Sequence, residues 1–306
     1  MQIDNDGEKG GGWQHDLLND AVYASLLARA KLGEFDALMI AFPCSTFSIA
    51  RFFDAMKQAI DNGGVASKGP PIVRTFDQPD GLPESEIDPA HIMELKMSNK
   101  LLERTVNVAI TAYKSPSHAT IVVENPADRS PGASIASAPE FAKHGSLFRT
   151  SEFSRLAGET NMIGKATFAY CRLRSPYQKY TTICYTPDAA SGLDFLNGPD
   201  FQCNPERGAH EKRAGGRDVD GHFVSSEAAA YPDQLNNILA RAITIARTGG
   251  EIVPKLLGKD ADVAKPRTPE APAPAPQSPD VELPPLDAPA PSVAPTSVRG
   301  GASGGS

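Results

Sequence analysis

Two stretches decide how this chain reads: Asp36-Ala-Leu-Met-Ile-Ala-Phe42, running into Pro43-Cys44-Ser45-Thr46-Phe47-Ser48, and Ala119-Thr-Ile-Val-Val-Glu124, running into Asn125-Pro126. Each is a short apolar run without polar alternation, the pattern of a strand buried on both faces. Each stops at a proline-bearing turn beside a chemically capable group, a thiol in the first and a carboxylate in the second. Between them, Pro89 to Lys114 sets Ile92, Leu95, Leu102, Val106 and Ala109 at helical spacing. A strand, a helix and a strand make a crossover unit with parallel strands, so both groups are expected at one carboxyl edge of one sheet.

Other elements extend this frame. Asn19 to Ala30 has helical spacing and is closed by Gly33, and Ile49 to Ile60 reads as a helix opening just after the cysteine turn. Asn62 to Asp88 is rich in Gly and Pro without a period, the pattern of a long loop that covers a site or moves. Strands are expected at Ala166 to Leu173 and Tyr180 to Tyr185, and a closing helix at Asp233 to Thr248. The fold class is α/β with a Rossmann-like sheet.

The folded part is expected to be residues 1–250, because residues 251–306 have the wrong composition for a core. Twelve of the 27 prolines lie between Pro254 and Pro295, and the chain ends in Gly and Ser. That tail reads as a disordered Pro/Ala-rich linker, with P-x-x-P spacings that suit a partner recognising extended polyproline. No apolar run approaches the length of a membrane span, and the acidic amino terminus is unlike a signal peptide, so a soluble intracellular protein is expected. The 4 cysteines make neither a disulfide framework nor a C-x-x-C pair. The net charge of −7 does not suggest nucleic acid, but Glu140 to Tyr180 holds seven basic residues against three acidic ones, and Arg207 to Arg217 adds four more. A local basic face is therefore expected.

Phe42-Pro43-Cys44-Ser45-Thr46-Phe47-Ser48 resembles the Pro-Cys-x-x-Phe-Ser signature of cytosine-C5 DNA methyltransferases, and Val123-Glu124-Asn125-Pro126 resembles their Glu-Asn-Val signature. Tyr170-Cys171-Arg172-Leu173-Arg174 is similar to the later Gln-x-Arg-x-Arg, with the first glutamine missing. Ile49-Ala50-Arg51, Gly69-Pro70-Pro71-Ile-Val-Arg74 and Ala230-Tyr231-Pro232 extend the likeness to a divergent branch found in mobile elements and viruses. The whole resemblance spans about His15 to Arg247.

The resemblance implies methyl transfer from S-adenosylmethionine to cytosine in DNA. Cys44 would attack C6 as a thiolate and turn a poorly nucleophilic ring into one that reacts at C5. A helix amino terminus after the turn is expected to lower its pKa. Glu124 would stand near N3 and the exocyclic amine, and Arg174 or Arg172 near O2. Strand alternation would send those two arginines to the same face. The cofactor would be met by Asp4, Asp16 and Pro43. DNA would be met by Lys165, Lys179, Arg207, Arg213 and Arg217 around the pocket mouth, with Arg74 in a mobile loop closing over an extruded base. The family's opening strand and Phe-x-Gly-x-Gly turn have no counterpart before His15, so the sheet is expected to be incomplete at its amino-terminal edge, which makes the activity of this chain alone a separate question from its methyltransferase ancestry.

The alternative of another class is a non-catalytic relic of this fold that holds DNA or a protein partner. Gly158 to Ala166 is not a phosphate loop, because it has one residue too many between its glycines and Ala where magnesium needs a hydroxyl. No histidine lies in a hydrolase motif with Cys44. Cys203 and His210 stand seven apart without a second pair of ligands, so no metal is expected.

Overall fold

The computed structural model describes residues 11–52, 70–133, 135, 141–203, 210 and 229–249. They belong to a unit of Met1–Val253. The second unit, Pro254–Ser306, lies outside the described residues, as does the sequence expectation for the tail.

Four strands form one open sheet: β1 (Ala37–Ala41), β2 (Thr120–Pro126), β3 (Gly164–Ala169) and β4 (Tyr180–Tyr185), in the spatial order β1-β2-β4-β3. β1 and β2 are parallel, with Ala41 opposite Glu124, as the strand–helix–strand reading requires. The sheet is nevertheless mixed. β4 is antiparallel to both β2 and β3. The short link from Ala169 to Tyr180 is too brief for a helical crossover, so the chain turns back and β4 enters between β2 and β3. This reversal brings the amino end of β4 to the carboxyl ends of β2 and β3.

Helices cover both faces. On one side lie α1 (Asp20–Lys31), α2 (Pro89–Lys114) and α3 (Ser151–Glu159). Leu26, Leu102, Val106, Phe153 and Leu156 from these helices pack with Ile121 and Val123 of β2. On the other side, α4 (Ala190–Leu193) and α5 (Asp233–Thr248) bring Leu193, Leu235 and Leu239 against Val122, Phe168 and Ile183. Successive β2 residues alternate between these two cores, so β2 is a doubly covered strand with no solvent face. α1 starts on the Asn19 side chain, which accepts from the Ala21 amide at 2.9 Å, and α2 starts on Asp88, which accepts from Ala90 at 3.0 Å. Gly249 closes α5 in the left-handed conformation, φ 67°.

Three expectations are corrected. The expected strand from Ala166 to Leu173 ends at Ala169, and Tyr170–Leu173 is a 3-10 turn. The tight link back to β4 starts there, so strand alternation does not govern Arg172 and Arg174. The expected mobile loop is packed where it is described: Val73 and Ile87 bury with Leu95 of α2, and Arg74 is 1% exposed. Of the helix expected over Ile49 to Ile60, Ile49–Phe52 is a 3-10 turn and the remainder lies outside the described residues. Sequence reading missed α3, although Thr150 signals it: its hydroxyl accepts from the Phe153 amide at 3.2 Å.

Candidate active site

Cys44 follows β1 at the start of a three-residue 3-10 turn, Ser45–Phe47, and is half-buried. Asn125 fixes the approach to this turn, its side-chain amide donating to the Phe42 carbonyl at 3.0 Å. The residue after Glu124 on β2 thus ties down the backbone leading from β1 to the Cys44 thiol.

Glu124 is 5% exposed. Its carboxylate accepts hydrogen bonds from Tyr231 Oη at 2.8 Å, Thr181 Oγ1 at 3.1 Å and Tyr170 Oη at 3.4 Å. Lys179 Nζ stands 3.7 Å from Glu124 Oε1 and 4.7 Å from the centre of the Tyr170 ring. A buried carboxylate needs this many partners to remain buried at all. The two tyrosine hydroxyls are held far above their ordinary range, by burial first and then by the charge of Glu124, so they act here only as donors.

The Cys44 thiol shares this cluster. Burial raises its pKa and the Glu124 charge adds to the rise, while the Lys179 ammonium pulls it down. This corrects the expectation of a thiol acidified by a helix. A three-residue turn aligns too few peptide dipoles to outweigh desolvation.

Two buried arginines hold the cysteine turn from behind. Arg74 donates to Thr46 Oγ1 at 3.1 Å, the Pro79 carbonyl at 2.9 Å and Asn99 Oδ1 at 2.6 Å, and its guanidinium lies 4.2 Å from the centre of the Phe47 ring. Burial lowers its pKa to about 10, and no carboxylate is among its hydrogen-bond partners. Arg51 donates to the Ser45 carbonyl at 2.7 Å and also holds the Pro71 carbonyl and Glu94. His144 Nε2 meets the Phe47 carbonyl at 2.9 Å. Arg74 is therefore part of the wall behind the turn, and its burial overturns the expectation that it closes over a base.

The other expected residues are placed as follows. Arg174 is exposed in the left-handed conformation, φ 67°, at the end of the Tyr170–Leu173 turn. Arg172 Nε donates to the Asp200 carbonyl at 2.6 Å. Neither is among the hydrogen-bond partners recorded for Glu124, and the cation beside Glu124 is Lys179. Lys165 is exposed on β3. Pro43 is exposed next to Cys44, and Asp16 accepts from the Leu18 amide at 2.9 Å. Asp4, Arg207, Arg213 and Arg217 lie outside the described residues. The sequence motifs include Tyr231, within Ala-Tyr-Pro, and Tyr170, at the head of Tyr170-Cys171-Arg172-Leu173-Arg174, without a role for either, and Thr181 is in no motif. Their only signal is hydroxyl chemistry near strand ends, which is too common to select them.

Comparison with protein-family models, curated proteins and solved structures finds no match.

Proposed function

We propose that this site activates cytosine in DNA for methylation at C5, with S-adenosylmethionine as the methyl donor. The observation that carries the reading is that Cys44 follows β1 and Glu124 lies near the carboxyl end of β2, neighbouring parallel strands, so that the charges of Glu124 and Lys179 both act on the thiol. Cys44 loses its proton and the thiolate adds to C6, using the sulfur electron pair and leaving C5 electron-rich. Lys179 favours that thiolate. Glu124, oriented by Tyr170, Thr181 and Tyr231, meets the polar edge of the ring where charge develops. After alkylation H5 leaves as a proton to water, its C–H electron pair re-forms the C5–C6 double bond, and the C6–S bond breaks with its pair returning to sulfur as thiolate, which regains the proton that Cys44 first gave to solvent.

S-adenosylmethionine would supply an electrophilic methyl group. Asp16, whose Oδ1 accepts from the Leu18 amide, and exposed Pro43 would be the residues that hold the cofactor. A base in a duplex must leave the stack to reach the half-buried Cys44 thiol. Exposed Arg174 suits a phosphate contact, whereas Lys165 stands at the amino end of edge strand β3, opposite Cys184, on the face of the sheet away from Glu124.

The test is incubation of the full chain with labelled S-adenosylmethionine and DNA carrying 5-fluorocytosine. Fluorine cannot leave as H5 does, so a covalent adduct through Cys44 is expected, and Cys44→Ser should remove it. Label on adenine, or an adduct that survives Cys44→Ser, would refute the assignment. DNA binding without any transfer or adduct would instead support the non-catalytic relic.

A further inference from the structure

Beside the turn that carries Tyr170, three soft or nitrogen ligands converge. Cys171 lies in the Tyr170–Leu173 turn, Cys203 lies just after the Pro199–Phe201 turn, and His210 follows. Their sulfur and ring-nitrogen atoms all lie within 4.8 Å of one another, and Cys203 Sγ is 3.1 Å from His210 Nε2. A tetrahedral zinc ion with ordinary Zn–S and Zn–N bonds holds two sulfurs about 3.8 Å apart and a sulfur and a nitrogen about 3.5 Å apart. The cluster is thus already close to the size that such an ion requires.

The two chain segments are also joined independently of the cluster. The Cys203 amide donates to Tyr180 Oη at 3.1 Å, and Arg172 holds the Asp200 carbonyl. These bonds orient the backbones that carry the sulfurs, as outer contacts do around established metal centres. A catalytic Cys203–His210 pair would explain the 3.1 Å contact but would leave Cys171 without a part. Three ligands of this softness around one point select a thiolate-binding divalent ion over magnesium or calcium.

We propose that Cys171, Cys203 and His210 bind one zinc ion, with water completing the tetrahedron. Binding releases both thiol protons, so the two thiolates and a neutral imidazole balance the charge of the ion. The ion clamps the segment after Phe201 onto the turn whose first residue, Tyr170, bonds Glu124. The site does not depend on the proposed methyl transfer, and its measurement needs no activity.

The full chain, purified under reducing conditions without chelator, should contain about one zinc per chain by elemental mass spectrometry. Cys171→Ser, Cys203→Ser and His210→Ala should each reduce this at least roughly tenfold at limiting zinc, while Cys184→Ala should retain it. Wild-type chain stripped of metal and titrated with cobalt(II) should show tetrahedral ligand-field bands and sulfur-to-cobalt charge transfer. That measurement decides the matter if the ligand variants fail to fold. Absence of zinc with no thiolate–cobalt band overturns the proposal, as does full zinc content in a folded Cys203→Ser chain.

Discussion

Lys179 Nζ lies 3.7 Å from Glu124 Oε1 because β4 runs opposite to β2, so the residue preceding β4 sits at the end of β2. The same cation acts on Cys44, whose thiol is pulled one way by Lys179 and the other by burial and Glu124. Burial thus sets the direction for the Cys44 thiol, and two neighbours of opposite sign adjust it.

This contest is measurable from the pH dependence of Cys44 alkylation by iodoacetamide, followed on the Cys44 peptide. The wild-type inflection should lie above that of a free thiol, since burial dominates. Lys179→Met should move it further up and Glu124→Gln should move it down. Shifts of the same sign in both variants would refute the opposed-charge account.

Arg74 should contribute to stability through the turn it holds. Arg74→Met leaves Thr46, Asn99 and the Pro79 carbonyl without their buried donor, a loss of about 2 to 4 kcal/mol in denaturant unfolding. A Cβ at Gly145 would come within 2.8 Å of Arg74 Cβ and 2.9 Å of its carbonyl carbon. Gly145→Ala should therefore cost about 1 to 3 kcal/mol by pushing the same segment. Both variants should speed Cys44 alkylation at fixed pH, whereas unchanged stability in Arg74→Met would show that the clamp is ornamental.

Arg174 occupies a left-handed conformation that Gly adopts without steric cost. Arg174→Gly should raise unfolding stability by about 0.5 to 1 kcal/mol, while weakening DNA binding and reducing its salt dependence by roughly one logarithmic unit. Greater stability with unaltered DNA affinity would remove Arg174 from the site.

Asp128 sits outside the cluster and is a probe of acid stability. Burial works against its ionisation, but the nearby His144 ring, with Nδ1 at 3.8 Å, and hydrogen bonds from Ser130 and Arg149 hold its carboxyl well below the usual carboxylate range, with Arg149 Nε at 2.6 Å. A depressed folded pKa means the folded state binds fewer protons than the unfolded chain, so stability falls as pH falls. The contribution is complete above about pH 4 and is lost progressively below it. Urea unfolding at pH 5 and pH 3 should show a steep loss for the wild type and a shallower one for Asp128→Asn.

What the sequence alone determined was local. The apolar run Asp36 to Phe42, the run Ala119 to Glu124 and the amphipathic helix between them carry their own periodicity, and from these follow two parallel strands with Cys44 and Glu124 at one edge. The closing helix, Asp233–Thr248, was equally legible because a proline opens it and a glycine ends it. Tertiary structure decided everything that depends on the reversal of β4. Lys179 had read as a phosphate contact, and Tyr231 lies 107 residues from the carboxylate it bonds. Arg74 read as a lid, because a Gly/Pro-rich stretch looks the same whether it packs or moves, and only burial against Phe47, Thr46 and Asn99 distinguishes the two. Cys171 and Cys203 stand 32 positions apart with no motif spacing, and they meet because the Tyr170–Leu173 turn and the segment after Phe201 fold to the same end of the sheet. Periodicity records what a residue does with its near neighbours along the chain; contacts between distant segments depend on strand order and direction, which no window of sequence contains.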